Sequence, residues 1–216
     1  MSEKKNTMIK DAIILCLITL VLGAILAGVY AMTKDTIDAK QKEANNEACA
    51  AVVISGDKVQ DSDADALKKA EEYLTKHGLS NEEVADEGSS LIKHVEISEV
   101  HPTEQGGYVF LATAKKGYGG DIGFALGVGA DGAITGISIT SQGETAGLGA
   151  NCMDETWQKS FQGKTMPASP SENMYNKNAE SDTQVQALSG ATVTTKAITN
   201  AVKGILFFAD TVKGAE

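Results

Sequence analysis

From Ala12 to Met32 no side chain carries a charge, and Thr19 is the clearly polar residue before Tyr30. A helix of about 20 apolar residues crosses the hydrocarbon layer of a bilayer. In lipid, only a helix or a closed barrel satisfies its own backbone polar groups. The run therefore predicts a single transmembrane helix over 12–33. Lys4, Lys5 and Lys10 precede it, which puts the N-terminal tail (1–11) in the cytoplasm and Tyr30 near the outer interface. A cleaved signal peptide competes with this reading, but the run is long for one and no A-x-A site closes it. A lipid anchor at Cys16 is disfavoured, because bulky Ile14 and Leu15 precede it and it lies mid-span. The span holds no ionisable residue, so this chain alone builds no ion path. Gly23, Ala24, Ala27 and Gly28 offer small residues for packing against other membrane helices.

The formal net charge is −10, and all 19 basic residues are lysine. Nucleic acid needs a basic face, so it is excluded as a partner. An anion site here would depend on lysines and backbone N–H groups, without guanidinium forks. Cys16, Cys49 and Cys152 form no C-x-x-C pair, and His77, His94 and His101 show no ligand spacing. Neither an Fe–S cluster nor any other metal site is expected. Cys16 reads as apolar packing in the span. Cys49 and Cys152 fall outside it and could pair in an oxidising compartment, with two free thiols as the alternative.

Residues 34–88 read as an acidic membrane-proximal segment whose charges form a solvated spacer face. Asp35 to Glu47 continues the helix, and Ala51 to Ile54 suits a short strand or turn. Asp63 to His77 is helical, with Ala66, Leu67, Ala70 and Leu74 on one face and Gly78 as C-cap. From 89 to 216 a final domain begins. Leu91 to Val100, Gly107 to Ala114, Ile122 to Val128 and Ala133 to Thr140 partly alternate, which predicts an antiparallel sheet. Gln105-Gly106-Gly107 and Ala130-Asp131-Gly132 mark its hairpins. Gly127 to Gly132 matches G-x-G-x-x-G, but a strand pattern follows where a dinucleotide site needs a helix. It is read as a hairpin turn. Trp157 and Phe161 suit a helix over 153–161 with both rings in the core, and Pro167 to Asp182 is a polar loop.

Ser189-Gly190-Ala191-Thr192-Val193-Thr194 then leads into Ile198, Ala201, Val202, Ile205, Phe208, Ala209 and Val212, one face of a helix. Thr194 and Thr195 stand where its N-cap should be. A helix N-terminus offers unpaired N–H groups and partial positive charge, which suits a phosphate. Gly190 and Ala191 let a ligand approach the backbone closely. From the residues alone, the stretch is either a phosphate-ligand site at a hydroxyl or only a turn and a cap. Gln142 to Gly149, with three glycines after a strand, either holds backbone close to a ligand or is a flexible loop.

S-G-A-T-V-T resembles the flavinylation motif of the FMN-binding domain family, [S/T]-G-A-[S/T]-x-[S/T]. Lys116 to Ile122 resembles that family's G-Y-G-G turn, and Glu144-Thr145-Ala146-Gly147-Leu148-Gly149 its E-T-P-G-L-G loop, with Ala146 in place of the proline. The resemblance covers roughly 91–212 and implies an α+β architecture. One transmembrane helix is followed by an extracytoplasmic FMN-binding domain with an antiparallel sheet and flanking helices. It implies FMN joined by a phosphodiester to Thr194, with Thr195 a second nearby hydroxyl. Ser189, Gly190, Ala191 and Thr192 complete the motif. Glu144, Thr145, Gly147 and Leu148 are the implied cofactor contacts. Gln186 stands where the family often has Asp or Asn. A hydroxyl is a poor nucleophile unaided, so the resemblance implies maturation by a flavin transferase that uses FAD and Mg²⁺.

The anchor and the length together resemble the G subunits of Rnf ion-translocating electron-transport complexes. Those pass electrons between ferredoxin and NAD⁺ while moving Na⁺ or H⁺. The implied partners are other membrane subunits, one also flavinylated, cytoplasmic Fe–S and NAD-handling subunits, and membrane lipid. The implied role is a one-cofactor relay outside the bacterial cytoplasmic membrane. The C subunits of Na⁺-translocating NADH:quinone oxidoreductases share anchor, domain and motif and are the alternative. A membrane-anchored binding domain whose motif is only a cap is the other.

Overall fold

The computed structural model describes residues 2–76, 95–169, 172–179 and 181–213. It divides into two compact units, Met1–Glu43 and Ala44–Glu216. The first is most of helix α1, Ser2–Ala51. Its apolar side chains from Ile13 to Met32 are exposed. By length and composition it is suited to crossing a membrane. Inside the apolar run, the Thr19 hydroxyl donates back to the Leu15 and Cys16 carbonyls at 3.1 and 3.0 Å. A polar group in an apolar stretch is thereby satisfied within its own helix.

The second unit is built on four antiparallel strands in sequential order: β1 Val95–Pro102, β2 Tyr108–Ala114, β3 Ile122–Val128 and β4 Ile134–Ser141. The alternation seen in sequence places Phe110, Ala112 and Ala114 of β2 in the main core, and Val109 and Leu111 in a smaller cluster. The turns take the glycines they need. Gly106 and Gly132 have φ of +81° and +87°, a region that disfavours any Cβ. Gly129 N–H donates to Ala133 O at 2.8 Å, and Gly132 N–H to Gly129 O at 2.9 Å, so the G-x-G-x-x-G match is a hairpin.

The main core is closed by α2 (Ala64–Lys76) and by α4 (Thr192–Lys213), the helix expected after the motif. Ile198, Ala201, Val202, Ile205, Phe208 and Ala209 are all buried on the predicted face. The side chain of Val212 lies outside the described ones. Burying each large apolar side chain contributes about 1.5–3 kcal/mol. Phe208 meets Phe110 edge-on at 6.1 Å between centroids.

Several expectations are revised. No charged side chain among the described residues of 34–88 is buried, as expected of a solvated face, but the segment is more than a spacer. Ala70 and Leu74 of α2 enter the main core, while Ala48, Cys49 and Val52 form the smaller cluster. Glycine makes room for that second contact. Gly127 and Gly136 face each other across β3 and β4, and a Cβ on Gly136 would lie 3.1 Å from Val52 Cα. Of the two readings of 51–54, the turn holds: residue 51 ends the helix and a turn and bend follow. The expected helix over 153–161 is split. A 3₁₀ turn (Gly149–Met153) precedes α3 (Glu155–Lys159), because Asp154 caps α3 through the Thr156 and Trp157 N–H groups. The loop over 167–182 carries β5 (Tyr175–Asn176), paired in parallel with β6 (Val185–Gln186).

Cys16, Cys49 and Cys152 are free. Cys49 lies in the smaller cluster and Cys152 in the main core, so the suggested pairing does not form. His77, Gly78 and the Leu91–His94 start of the first strand lie outside the described residues.

Candidate functional site

Strand β6 delivers the chain to the motif. Trp157 holds this entry, its indole N–H donating to the Gln186 carbonyl at 2.8 Å. Gln186 thus contributes its backbone, and its side chain is exposed. Leu188 to Ala191 make a turn, with Ala191 N–H on Leu188 O at 3.1 Å. Gly190 sits at its corner with φ +71°.

Helix α4 begins at Thr192, earlier than the sequence suggested. Its first i→i−4 bond runs from Thr195 N–H to Ala191 O at 3.0 Å. Thr194 and Thr195 therefore lie inside the first turn and do not cap it. The Thr195 hydroxyl donates to Ala191 O and accepts the Leu188 N–H, both at 3.0 Å. It is committed to holding the turn. The N–H groups of Thr192, Val193 and Thr194 precede that first bond and have no intrahelical partner.

Thr194 is buried, at 1% exposure, and its hydroxyl donates to Glu144 Oε2. Glu144 is itself 8% exposed. Its other oxygen accepts the Gly119 N–H at 2.8 Å, and its own N–H donates to Gln142 Oε1 at 2.6 Å. The carboxylate is therefore held at both oxygens, and the residue's backbone is fixed as well. Glycine surrounds it. A Cβ on Gly117 would lie 2.7 Å from Glu144 Oε1, and one on Gly149 would lie 2.6 Å from both Glu144 Oε2 and Thr194 Oγ1. Gly117 of the G-Y-G-G turn and Gly149 of the 143–149 loop thus make room for this carboxylate. Cys152 lies close by; burial pushes its thiol up to about 11, and the Glu144 charge adds to the rise. It is a protonated thiol and no nucleophile.

A cavity of about 390 Å³ opens beside this pair. It is lined by Gly190, Ala191, Thr192 and Thr194 from the motif, and by Glu144, Thr145 and Leu148 from the loop. Two other expected residues do not line it. Ser189 sits on the exposed turn, and Gly147, with φ +76°, lets the loop bend. Tyr118, Gly149 and Val193 line it without having been singled out. Tyr118 belongs to the G-Y-G-G turn, which was the available signal. Exposed Tyr118, Leu148 and Val193 give the opening an apolar rim.

The FMN-binding domain family matches residues 117–206, and the RnfG N-terminal region matches residues 1–52. The chain is 30% identical over 194 residues to the G subunit of a proton-translocating ferredoxin:NAD⁺ oxidoreductase complex of Clostridium ljungdahlii, covering 90% of this chain and 85% of the relative. It is 31% identical over 199 residues to the G subunit of a Na⁺-translocating ferredoxin:NAD⁺ oxidoreductase complex of Acetobacterium woodii, covering 89% and 87%. The C subunit of a Na⁺-translocating NADH-quinone reductase of Haemophilus ducreyi is 42% identical over 74 residues, which is 32% of this chain and 29% of that one.

Proposed function

Because the chain belongs to the family of G subunits of ion-translocating ferredoxin:NAD⁺ oxidoreductase complexes, we propose that it relays electrons in such a complex through FMN joined to Thr194. The observation that carries this is the single cavity gathering the Thr194 hydroxyl, the S-G-A-T turn and the E-T-A-G-L-G loop. The residues present fit the cofactor. The first turn of α4 offers free N–H groups and partial positive charge to a phosphate. The cavity's volume lies in the range of small-molecule sites. Tyr118, Leu148 and Val193 provide apolar surface for a flat ring. When bound, FMN supplies electron transfer, and the protein supplies its position and surroundings.

In this reading Thr194 contributes the ester oxygen, while Gly190 and Ala191 keep side chains clear of the phosphate. Thr145 and Leu148 border the ring. Thr195 has both its donor and acceptor roles filled, which favours Thr194 over it. Helix α1 anchors the protein in the membrane, and the lysines before the span favour a cytoplasmic N-terminus with the FMN domain outside. Other subunits of the complex are its electron partners, and a flavin transferase with FAD matures it. The alternative, the C subunit of an NADH:quinone oxidoreductase, is weaker, since that similarity spans a third of the chain where the G subunits match nearly all of it.

The test is mass spectrometry of the full chain produced with a flavin transferase. The peptide containing Ser189 to Lys196 gains one FMN in the wild type and none in Thr194→Val. An adduct that survives Thr194→Val overturns the reading.

A further inference from the structure

The Thr194 hydroxyl points its proton at a carboxylate and lines the cavity from which a phosphorus must arrive. From this arrangement we infer that Glu144 is the catalytic base of FMN attachment and keeps the proton afterwards. The inference rests on the reading of Thr194 as the attachment residue.

Three observations carry it. First, the proton to be removed is already engaged by Glu144 Oε2, inside the protein, where both residues are buried. A base brought by a second protein would have to displace that carboxylate to reach it. Second, the carboxylate is fixed, and the Gly119 N–H occupies its other oxygen at 2.8 Å. Third, the glycines at 117 and 149 leave no room for a side chain that would push the pair apart. A general base must lie within hydrogen-bond reach of the proton it removes, and Glu144 does.

The balance of the step is simple. A flavin dinucleotide brings a phosphoanhydride. The Thr194 O–H bond breaks and its proton passes to Glu144 Oε2. Oγ1 bonds to the phosphorus on the flavin side, the anhydride P–O bond breaks, and the nucleoside monophosphate leaves with that electron pair. Nothing is oxidised or reduced. Afterwards Oγ1 has no proton to donate. Glu144, carrying the transferred proton, donates its new O–H to that oxygen, so the product keeps the hydrogen bond with its direction reversed.

Glu144→Gln tests this in the full chain with flavin transferase, FAD and Mg²⁺. The glutamine amide oxygen can still accept from Gly119, and its NH₂ then donates to Thr194 Oγ1. This imitates the product arrangement but provides no base. The expected result is a kcat for attachment lowered about 100-fold or more, the range ascribed to general-base catalysis. The KM for the protein acceptor and the melting temperature stay near wild type. Glu144→Asp, which keeps a carboxylate, restores part of the rate and serves as the probe should Glu144→Gln not fold. Attachment to Glu144→Gln at the wild-type rate overturns the role of Glu144 alone. A wild-type chain that takes up no FMN overturns this inference and the attachment reading together.

Discussion

Gly149→Ala probes the packed carboxylate most directly. The added Cβ would lie 2.6 Å from Glu144 Oε2 and from Thr194 Oγ1, and 2.9 Å from Glu144 Cβ. Its neighbours are a buried hydrogen-bonded pair, so the methyl group displaces one of them. Gly149 opens a 3₁₀ turn with no positive φ, so alanine suits its backbone and gains about 0.4–1 kcal/mol through the unfolded chain. Against this stand about 1–3 kcal/mol for overpacking and about 1.5–3 kcal/mol for a lost hydrogen bond to a charged group. The net loss is about 2–5 kcal/mol, which lowers Tm by at least about 4 °C in a domain of this size. Trp157, the sole tryptophan, reports melting by its fluorescence without interference from α1. Gly147→Ala is the control, because Gly147 has φ +76° and open space around it. Its cost is backbone strain of about 1–2 kcal/mol, and the Glu144–Thr194 pair stays intact. A Gly149→Ala protein melting within about 1 °C of wild type, with Gly147→Ala the worse of the two, would refute the close approach.

Two further outcomes follow from neighbouring groups. Thr195→Val leaves the buried Leu188 N–H without its acceptor, so it loses about 1–3 kcal/mol of stability, read from the urea midpoint. It still takes FMN; loss of the adduct in this variant alone would move the attachment site to Thr195. Lys203 of α4 is 2% exposed, donates to Glu172 O at 2.9 Å, and is held below its usual range by burial. Between its folded pKa and about 10.4, the unfolded chain binds more protons than the folded one, so stability rises with pH. Wild type therefore gains on Lys203→Met as pH increases through that window and carries the burial cost below it. Urea midpoints that run parallel for the two proteins would refute this.

Local periodicity made most of the domain legible. The strands from Tyr108 to Ser141 and the buried face of α4 follow from alternation and from three- and four-residue spacing. The hairpin at Gly129–Gly132 was readable because a strand pattern follows it. The motifs named the right segments for the cavity but not the bond inside it. Glu144 and Thr194 lie 50 residues apart, and a carboxylate in an E-T-A-G-L-G loop gives no local sign that it is buried. The glycines had the same difficulty. Gly117 and Gly149 are small because of Glu144, a reason that exists only after folding. The acidic composition of 34–88 concealed Val52, and although Ala70 and Leu74 were legible as one helix face, that face shows as core only once the sheet is there to meet it. Which of Thr194 and Thr195 caps the helix was not legible, and with α4 starting at Thr192 neither of them does.

The pinning of the first turn of α4 has a consequence for how the domain opens. Helix ends normally fray first, and exchange of amide hydrogens with solvent is fastest there. Here the N-terminal end is tied by the Thr195 hydroxyl to Leu188 and Ala191, and by Thr194 to Glu144. At the far end, Asp210 and Thr211 are exposed. The amides around Thr195 should thus exchange slowly, close to the rate set by global unfolding, while protection fades toward Lys213. The helix terminus that would ordinarily be loosest becomes a fixed mooring for whatever is bound there. Brief openings of the domain therefore start away from the site.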